Sequence, residues 1–472
     1  MNDYREFISG KVRQLKPFGF ECGALPSKLF DWQAAVVRWA VRRGRAALFE
    51  ECGLGKTFQQ LAWAEQVAIH TQKPVMLHCP IGVRHQTLSE AEKLRISVPI
   101  EICDSGSDVR SGAGIVVANY DKLHKFDTSI FAGVVLDESS ILKSFTGAIK
   151  RNLIDRYSQT PYRLACTATP APNDYMELGN HAEFLGVMPS NEMLSRWFIN
   201  DTMKAGGYRL KGHAASDFWQ WMASWAVCLT KPSDLGSHYS DDGYVLPDLK
   251  RTDIVIESAP EPCIQNGTLF GTQTVNATTV HAVKRESVAD RASQVASLIE
   301  ADATDSPWIV WCDTNYEADE LVQRIRQVTD SVVEVRGSQQ DSTKERDLAR
   351  FSRGDARVII TKPNIAGFGM NWQHCHNVAF VGLSYSFEKY YQAVRRSWRF
   401  GQINPVNVYV VTTEIEQVID QTVDRKSGQH AEMFSAMVEA MGGFQQQSVH
   451  GELTRDLYQA AQEIRIPQWL NA

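Results

Sequence analysis

One short stretch restricts this chain to a narrow set of folds. The apolar run Ala46-Ala47-Leu48-Phe49 leads through Glu51-Cys52-Gly53-Leu54-Gly55-Lys56-Thr57 into a helical pattern from Phe58 to Ala68. A strand that turns through glycines into a helix presents free backbone N–H groups and the positive end of a helix dipole. That combination cradles a phosphate. Lys56 adds a point charge for the β- and γ-phosphates, and Thr57 offers a hydroxyl to Mg²⁺. The full pattern asks for a glycine five residues before Gly55, and Glu50 stands there instead. A second segment complements the first. Val134-Val135-Leu136 reads as a buried strand and ends in Asp137-Glu138. Two carboxylates at a strand's C-terminal end suit an aspartate that holds a metal and a glutamate that orients an attacking water. Asp-Glu pairs also open ordinary loops. Following a phosphate loop by 80 residues, this pair reads as the second half of a nucleotide site.

A chain of 472 residues has room for two or three domains with ample core. Its net charge of −6 excludes a global basic field, so any nucleic-acid binding must come from local patches. Arg38, Arg42, Arg43 and Arg45 form one such cluster, readable equally as a solvated helix face or a phosphate track. Arg395, Arg396 and Arg399 form another. Nine cysteines without Cys-x-x-Cys spacing read as reduced, small core residues. No signal-peptide pattern or spanning apolar run is evident, so the expectation is a soluble, cytoplasmic protein with no membrane partner.

Along the chain, apolar runs alternate with helical stretches twice. Strands are expected at Ala46–Phe49, Val75–His78, Ile115–Ala118, Val134–Leu136 and Arg163–Thr167. A second series is expected at Trp308–Cys312, Val332–Val335, Arg357–Thr361, Val378–Val381 and Val406–Val411. Such alternation predicts parallel sheets with helices on both faces. The expected fold class is therefore α/β, with two parallel-sheet lobes in tandem. The expected boundaries are an N-terminal lobe at 1–174, a helical insertion at 175–245, a linker segment at 246–285, a second lobe at 286–415, and C-terminal helices and tail at 416–472. Trp197, Trp219, Trp221 and Trp225 fall at helical spacing in the insertion and read as core.

With both lobes laid out, the chain resembles the Swi2/Snf2 branch of superfamily 2 helicase-like ATPases, relatives of the DEAD/DEAH-box proteins. The match runs from Leu29 to about Lys426. Leu29-Phe30-Asp31-Trp32-Gln33 looks like the adenine-reading element, with Gln33 as reader. The glycine turn is close to the first motif, where an acid before the glycines is usual, and that accounts for Glu50. Leu77-His78-Cys79-Pro80 with Arg84-His85-Gln86, and Asn119-Tyr120-Asp121-Lys122-Leu123, resemble the loops that touch a nucleic-acid backbone. Asp137-Glu138-Ser139-Ser140, followed by Leu142-Lys143, looks like the Asp-Glu-x-His box. Thr167-Ala168-Thr169-Pro170 resembles the coupling motif, and Asn173 fits its continuation. In the second lobe, Val335-Arg336-Gly337-Ser338 and Ala366-Gly367-Phe368-Gly369-Met370-Asn371 are similar to family elements. Gln392-Ala393-Val394-Arg395-Arg396-Ser397-Trp398-Arg399-Phe400-Gly401-Gln402 parallels a stretch read in relatives as Gln-Ala-x-Asp-Arg-Ala-His-Arg-x-Gly-Gln.

The resemblance implies two RecA-like lobes, an ATP and Mg²⁺ site, and assigned roles. Lys56, Asp137, Glu138, Arg396 and Arg399 would be catalytic. Gln33, Gly53, Leu54, Gly55, Lys56, Thr57, Gly369 and Asn371 would bind nucleotide, and Thr57 and Asp137 would hold the metal. Ser140, Thr167, Thr169 and Gln392 would couple the lobes. Pro80, Arg84, Asn119, Tyr120, Ser338 and Gly367 would contact nucleic acid. Independently of the family, a helix running to Arg396 would let Arg396 and Arg399 share a face and reach across to a γ-phosphate. Three departures stand out. Ser140 replaces a histidine, Arg395 an aspartate and Trp398 a histidine.

The implied function is an ATP-hydrolysing translocase on double-stranded DNA, gripping phosphates, working as a monomer in a bacterial or phage-infected cell. A strand-separating helicase on DNA or RNA, with the aromatic insertion as wedge, and a nucleotide-dependent scaffold of weak turnover are the alternatives. The chain names no protein partner.

Overall fold

The computed structural model describes residues 19–450 except 111, 113, 144–146, 172–173, 202–206, 258–276, 368–369 and 385. Asn173, Phe368 and Gly369 therefore lie outside the described residues. Two wholly parallel sheets follow one another along the chain. The first contains β1 (Arg45–Glu50), β2 (Pro74–Cys79), β3 (Ile100–Ile102), β4 (Gly114–Asn119), β5 (Gly133–Asp137) and β6 (Tyr162–Thr167). After it, β7 (Phe198–Asp201) and β8 (Gly207–Leu210) pair as an antiparallel hairpin, and β9 (Ala226–Leu229) returns to the first sheet. The strand order is β3-β4-β2-β5-β6-β1-β9. The second sheet contains β10 (Leu249–Ile256), β11 (Trp308–Cys312), β12 (Val332–Val335), β13 (Val358–Thr361), β14 (Asn377–Val381) and β15 (Val406–Thr413), in the order β10-β15-β14-β11-β13-β12. Two tandem parallel α/β lobes of RecA-like architecture are what the alternating sequence pattern predicts.

Continuous apolar runs form these strands because helices cover both faces and leave no polar face to alternate with. β1, β2 and β5 are buried throughout or nearly so. In the first sheet β6 lies between β5 and β1, with Phe49 opposite Thr167 and Asp137 opposite Cys166. The three strand ends that carry the glycine turn, the Asp-Glu pair and the coupling threonine are thus neighbours. That adjacency assembles the site.

The structure revises three expected stretches. The tryptophan-rich stretch, read as purely helical, also holds the β7–β8 hairpin and β9. Those strands are four residues each, too short for a periodic signal. Trp197, Trp219, Trp221 and Trp225 are all buried; the first three pack with Phe218 and Trp225 packs on Trp221, so none is available as a wedge. The segment read as a linker begins with β10, an edge strand paired along its whole length with β15, and ends in the helix Ala277–Glu286. Arg42, Arg43 and Arg45 are not a phosphate track. Arg42 and Arg43 hold the carbonyl of Val449 and the hydroxyl of Ser448, each at 3.0 Å, and Arg45 donates to the carbonyl of Pro161 at 2.9 Å.

The terminal helix Gln417–Val449 is a single 33-residue rod. Ile419 and Val423 root it in the second lobe's core, and Arg251 of β10 pairs with its Asp420 and Asp424. Phe434, Met437 and Met441 sit in the core of the first lobe. At its far end Trp39 donates to Ser448 at 2.8 Å, and Gln445 accepts from the backbone of Cys228 at 3.0 Å. The rod is therefore a strap between lobes. Replacing Met437, which has no exposed surface, by alanine should cost about 2–5 kcal/mol by leaving a cavity. The exposed Glu439→Ala should stay within about 0.5 kcal/mol. Denaturant unfolding checks both, and equal midpoints for the two variants would contradict the strap.

Candidate nucleotide site between the lobes

The glycine turn behaves as its sequence requires. Gly53 has φ 97° and Gly55 φ 77°, both left-handed, where a side chain is strained. A Cβ on Gly53 would stand 2.8 Å from the backbone nitrogen of Phe400 in the second lobe, and one on Gly55 would meet the Gln33 amide at 2.5 Å. The helix Lys56–Thr71 starts immediately after, so its unpaired N–H groups face the turn. Lys56 Nζ donates to the carbonyls of Glu50 at 2.7 Å and Glu51 at 3.2 Å. Gln33 accepts from the backbone of Phe30 at 3.1 Å and donates to the Leu54 carbonyl at 2.9 Å, tying the base-side element to the turn. Glu50, in the place of the missing glycine, is fully buried. Its Oε2 accepts from Gln59 at 2.7 Å, and burial pushes its carboxyl up to about 7 against the pull of Lys56.

At the end of β5, one strand beyond β6, Asp137 accepts from Gln60 Nε2 at 2.8 Å. Gln60 lies one turn beyond Thr57 on the same helix, so it ties the aspartate to the helix that carries the threonine. Tyr120 donates to the Asp137 carbonyl at 2.6 Å. Glu138 has φ 59°, a left-handed position that costs a non-glycine residue about 1–3 kcal/mol. Its Oε2 accepts from Thr167 and from Gln392 of the second lobe, both at 3.4 Å. Thr169 N–H donates to the Thr167 hydroxyl at 3.0 Å. Burial raises Glu138 to about 7, Asp137 adds to the rise, and Lys56 and Arg396 oppose it. Ser140 is buried and, among the described residues, has no side-chain hydrogen bond, while Ser139 contacts His181 at 3.1 Å.

The helix Phe387–Val394 ends two residues before Arg396, so Arg396 and Arg399 do not share a helical face. They converge through a common acceptor. Both donate to the Met370 carbonyl, at 3.3 and 3.2 Å, and Arg396 also holds the Gln392 side chain at 2.9 Å. Burial lowers Arg396, with Glu138 and Asp137 among the groups opposing the fall. Burial and Arg396 together lower Arg399 to about 10. Asn371 Oδ1 is buried and, among the described residues, lacks a partner.

The donor set fits a nucleotide phosphate and a hard cation. Thr57 and Asp137 supply oxygens, the choice of Mg²⁺, and Gly53 to Lys56 supply N–H groups and one ammonium.

The six expected nucleic-acid contacts divide. Pro80 begins the loop after β2, where Gly82 approaches the Ile365 carbonyl across the cleft, and Ser338 is exposed. Asn119 is buried and donates to Asp121 at 3.5 Å. Arg84 is buried and paired with Asp104 at 3.1 Å, Tyr120 stacks on His78 behind Asp137, and Gly367 packs against the Pro363 carbonyl. These three support neighbouring elements instead of offering open contacts, a difference that depends on tertiary packing. The sequence reading missed Gln59, Gln60, Tyr391 and Arg395 as partners of the site. Only Arg395 left a signal, its departure from the aspartate of relatives.

A family model for SNF2-related domains matches residues 32–210, and one for the helicase conserved C-terminal domain matches residues 290–401. The chain is 29% identical over 161 residues to the DNA annealing helicase and endonuclease ZRANB3 of Mus musculus, covering 31% of this chain and 15% of that protein. It is 26% identical over 112 residues to eukaryotic initiation factor 4A of Dictyostelium discoideum, covering 24% of this chain and 27% of that protein. The chain thus spans well under a third of either relative's length.

With Glu138 in the role of proton acceptor it must be ionised to act, so kcat/KM for ATP should rise from about pH 6 to about pH 8, half-maximal near 7. A profile flat across that window would remove Glu138 from the role of base. Arg399→Ala should lower kcat roughly a thousand-fold with KM little changed, whereas Lys56→Ala should damage both. Steady-state kinetics separates the two patterns, and a pure KM effect at Arg399 would contradict its placement.

Proposed function

The chain belongs to the SNF2-related ATPases of helicase superfamily 2, nucleic-acid-dependent ATPases as a family, and from that premise we propose that it is a motor that hydrolyses ATP to move along double-stranded DNA. One observation carries this reading. Gln392 of the second lobe donates to Glu138 of the first, and Arg396 acts on that carboxylate through its charge, so the site is complete only while the lobes touch. Closure then accompanies ATP binding and opening accompanies product release. If each lobe grips a backbone, that cycle is a step.

Each residue has a task in this proposal. The Gly53–Lys56 turn holds the β- and γ-phosphates. Thr57 and Asp137 hold Mg²⁺, which when bound neutralises charge on the phosphate oxygens. Glu138 orients the attacking water and accepts its proton, its carboxylate steadied by Thr167. Arg396 and Arg399 stabilise the charge that develops on the transferring phosphoryl group. Thr167 and Gln392 on one carboxylate give the coupling route that Ser140 cannot, because serine lacks the reach and charge of histidine.

Duplex DNA is favoured over strand separation because the four tryptophans of the insertion, the segment a wedge would need, are buried as core. Contacts should go to phosphates, so binding should be sequence-independent and weaken steeply with salt. Duplex DNA should raise the ATPase rate at least several-fold, with triplex displacement and no fork unwinding. Glu138→Gln should abolish turnover and trap a nucleotide–DNA complex. A rate indifferent to every DNA and RNA tested, or a Glu138→Gln variant as active as the wild type, would defeat the proposal.

A further inference from the structure

The helix Phe387–Val394 and the residue after it present Glu388, Tyr391, Gln392 and Arg395 toward the first lobe. Their spacing is i, i+3, i+4 and i+7, one stripe on a helical surface. Between them they touch three parts of the nucleotide site. Glu388 pairs with Lys143, five residues beyond Glu138. Gln392 donates to Glu138. Arg395 pairs with Glu51 at 2.7 Å, and Tyr391 donates its hydroxyl to the same carboxylate. Glu51 also accepts from the Cys52 N–H at 2.8 Å, so the second lobe holds the chain that enters the glycine turn. The Arg395 guanidinium lies over the Trp398 ring at 4.6 Å and donates to the Trp398 carbonyl at 3.2 Å. Trp398 and Arg395, both departures from the relatives' pattern, therefore support one another.

The two ion pairs have opposite polarity. At one end the first lobe supplies the cation, at the other the anion. Seven residues of helix separate them, about 10 Å along the axis. Turning the helix end for end would set Glu388 against Glu51 and Arg395 against Lys143, like against like. The pairs thus admit one orientation and penalise the reverse. The Glu388 and Arg395 side chains are only 8% and 6% exposed, so a lost partner leaves a desolvated charge.

We propose that Glu388 and Arg395 are positioning residues, whose two oppositely polarised ion pairs set the register in which Arg396 and Arg399 meet the glycine turn. The kinetic part rests on the ATPase reading above; the structural part does not. The pairs act through the phosphoryl-stabilising arginines and touch no substrate.

The test exchanges charge across the interface. Lys143→Glu and Glu388→Lys should each lower kcat about tenfold or more at saturating ATP and duplex DNA, with KM for ATP changed less than about threefold. The double variant should recover to within about threefold of wild type. Single variants at wild-type kcat, or a folded double variant no better than the worse single, would overturn the proposal. Should the double variant fail to fold, Arg395→Met must show the same loss of kcat at near-constant KM, and Arg395→Met at wild-type kcat would overturn it. Small-angle scattering supplies a readout free of catalysis. Each single variant should have a larger radius of gyration than the wild type. Single variants as compact as the wild type would overturn the register role even if the wild type hydrolysed nothing, and a wild type without ATPase activity would overturn the motor reading alone.

Discussion

The molecule depends on one close approach between its halves. The Phe400 backbone passes so near the glycine turn that a methyl group on Gly53 would touch it at 2.8 Å. Glycine at position 53 thus serves two demands. The turn needs its left-handed φ, and the second lobe needs its missing side chain. Around that contact the site is built from both sides, with acids and an ammonium from the first lobe and guanidinium groups from the second. Neither set is useful alone. The first lacks the guanidinium groups, and the second lacks a phosphate cradle.

Such an interface must open as well as close, and the terminal helix defines how. It is rooted beside Arg251 in one lobe and buries Met437 and Met441 in the other. A rod anchored at both ends opposes wide separation of the lobes. Motion is then guided and not free. This is the geometry a cyclic motor requires, since a lost register would have to be found again on every turnover.

Much of this was legible in the sequence, for a physical reason. Parallel strands are buried on both faces, so their apolar runs stand out, and Trp308–Cys312, buried throughout, matches its expected bounds. Three edge strands escaped. Ile100–Ile102, Ala226–Leu229 and Leu249–Ile256 are too brief or too polar for a periodic signal, and only pairing reveals them. In the site, residues defined by backbone geometry were readable: Gly53, Gly55, Lys56, Asp137 and Glu138. Residues defined by reach were not. Arg84 and Tyr120 carry groups suited to nucleic acid, yet Asp104 and the Asp137 carbonyl occupy them. No local pattern distinguishes a buried arginine with a partner from an exposed one waiting for a phosphate.

On the proposed reading, this motor loses the histidine of its relatives and keeps the connection by another route. The relatives' pattern puts a long, titratable side chain at position 140, and this chain has serine there. What a coupling residue must do is make the position of the catalytic carboxylate depend on the other lobe. Glu138 already meets that condition, because Gln392 reaches its Oε2 directly, beside Thr167. Its left-handed backbone strengthens the dependence. A strained residue holds its place only while its surroundings insist on it. With the second lobe withdrawn, one of the two side-chain hydrogen bonds that steady the carboxylate is gone. Strain at Glu138 and contact from Gln392 together can therefore do what the absent histidine would have done, without a charged relay.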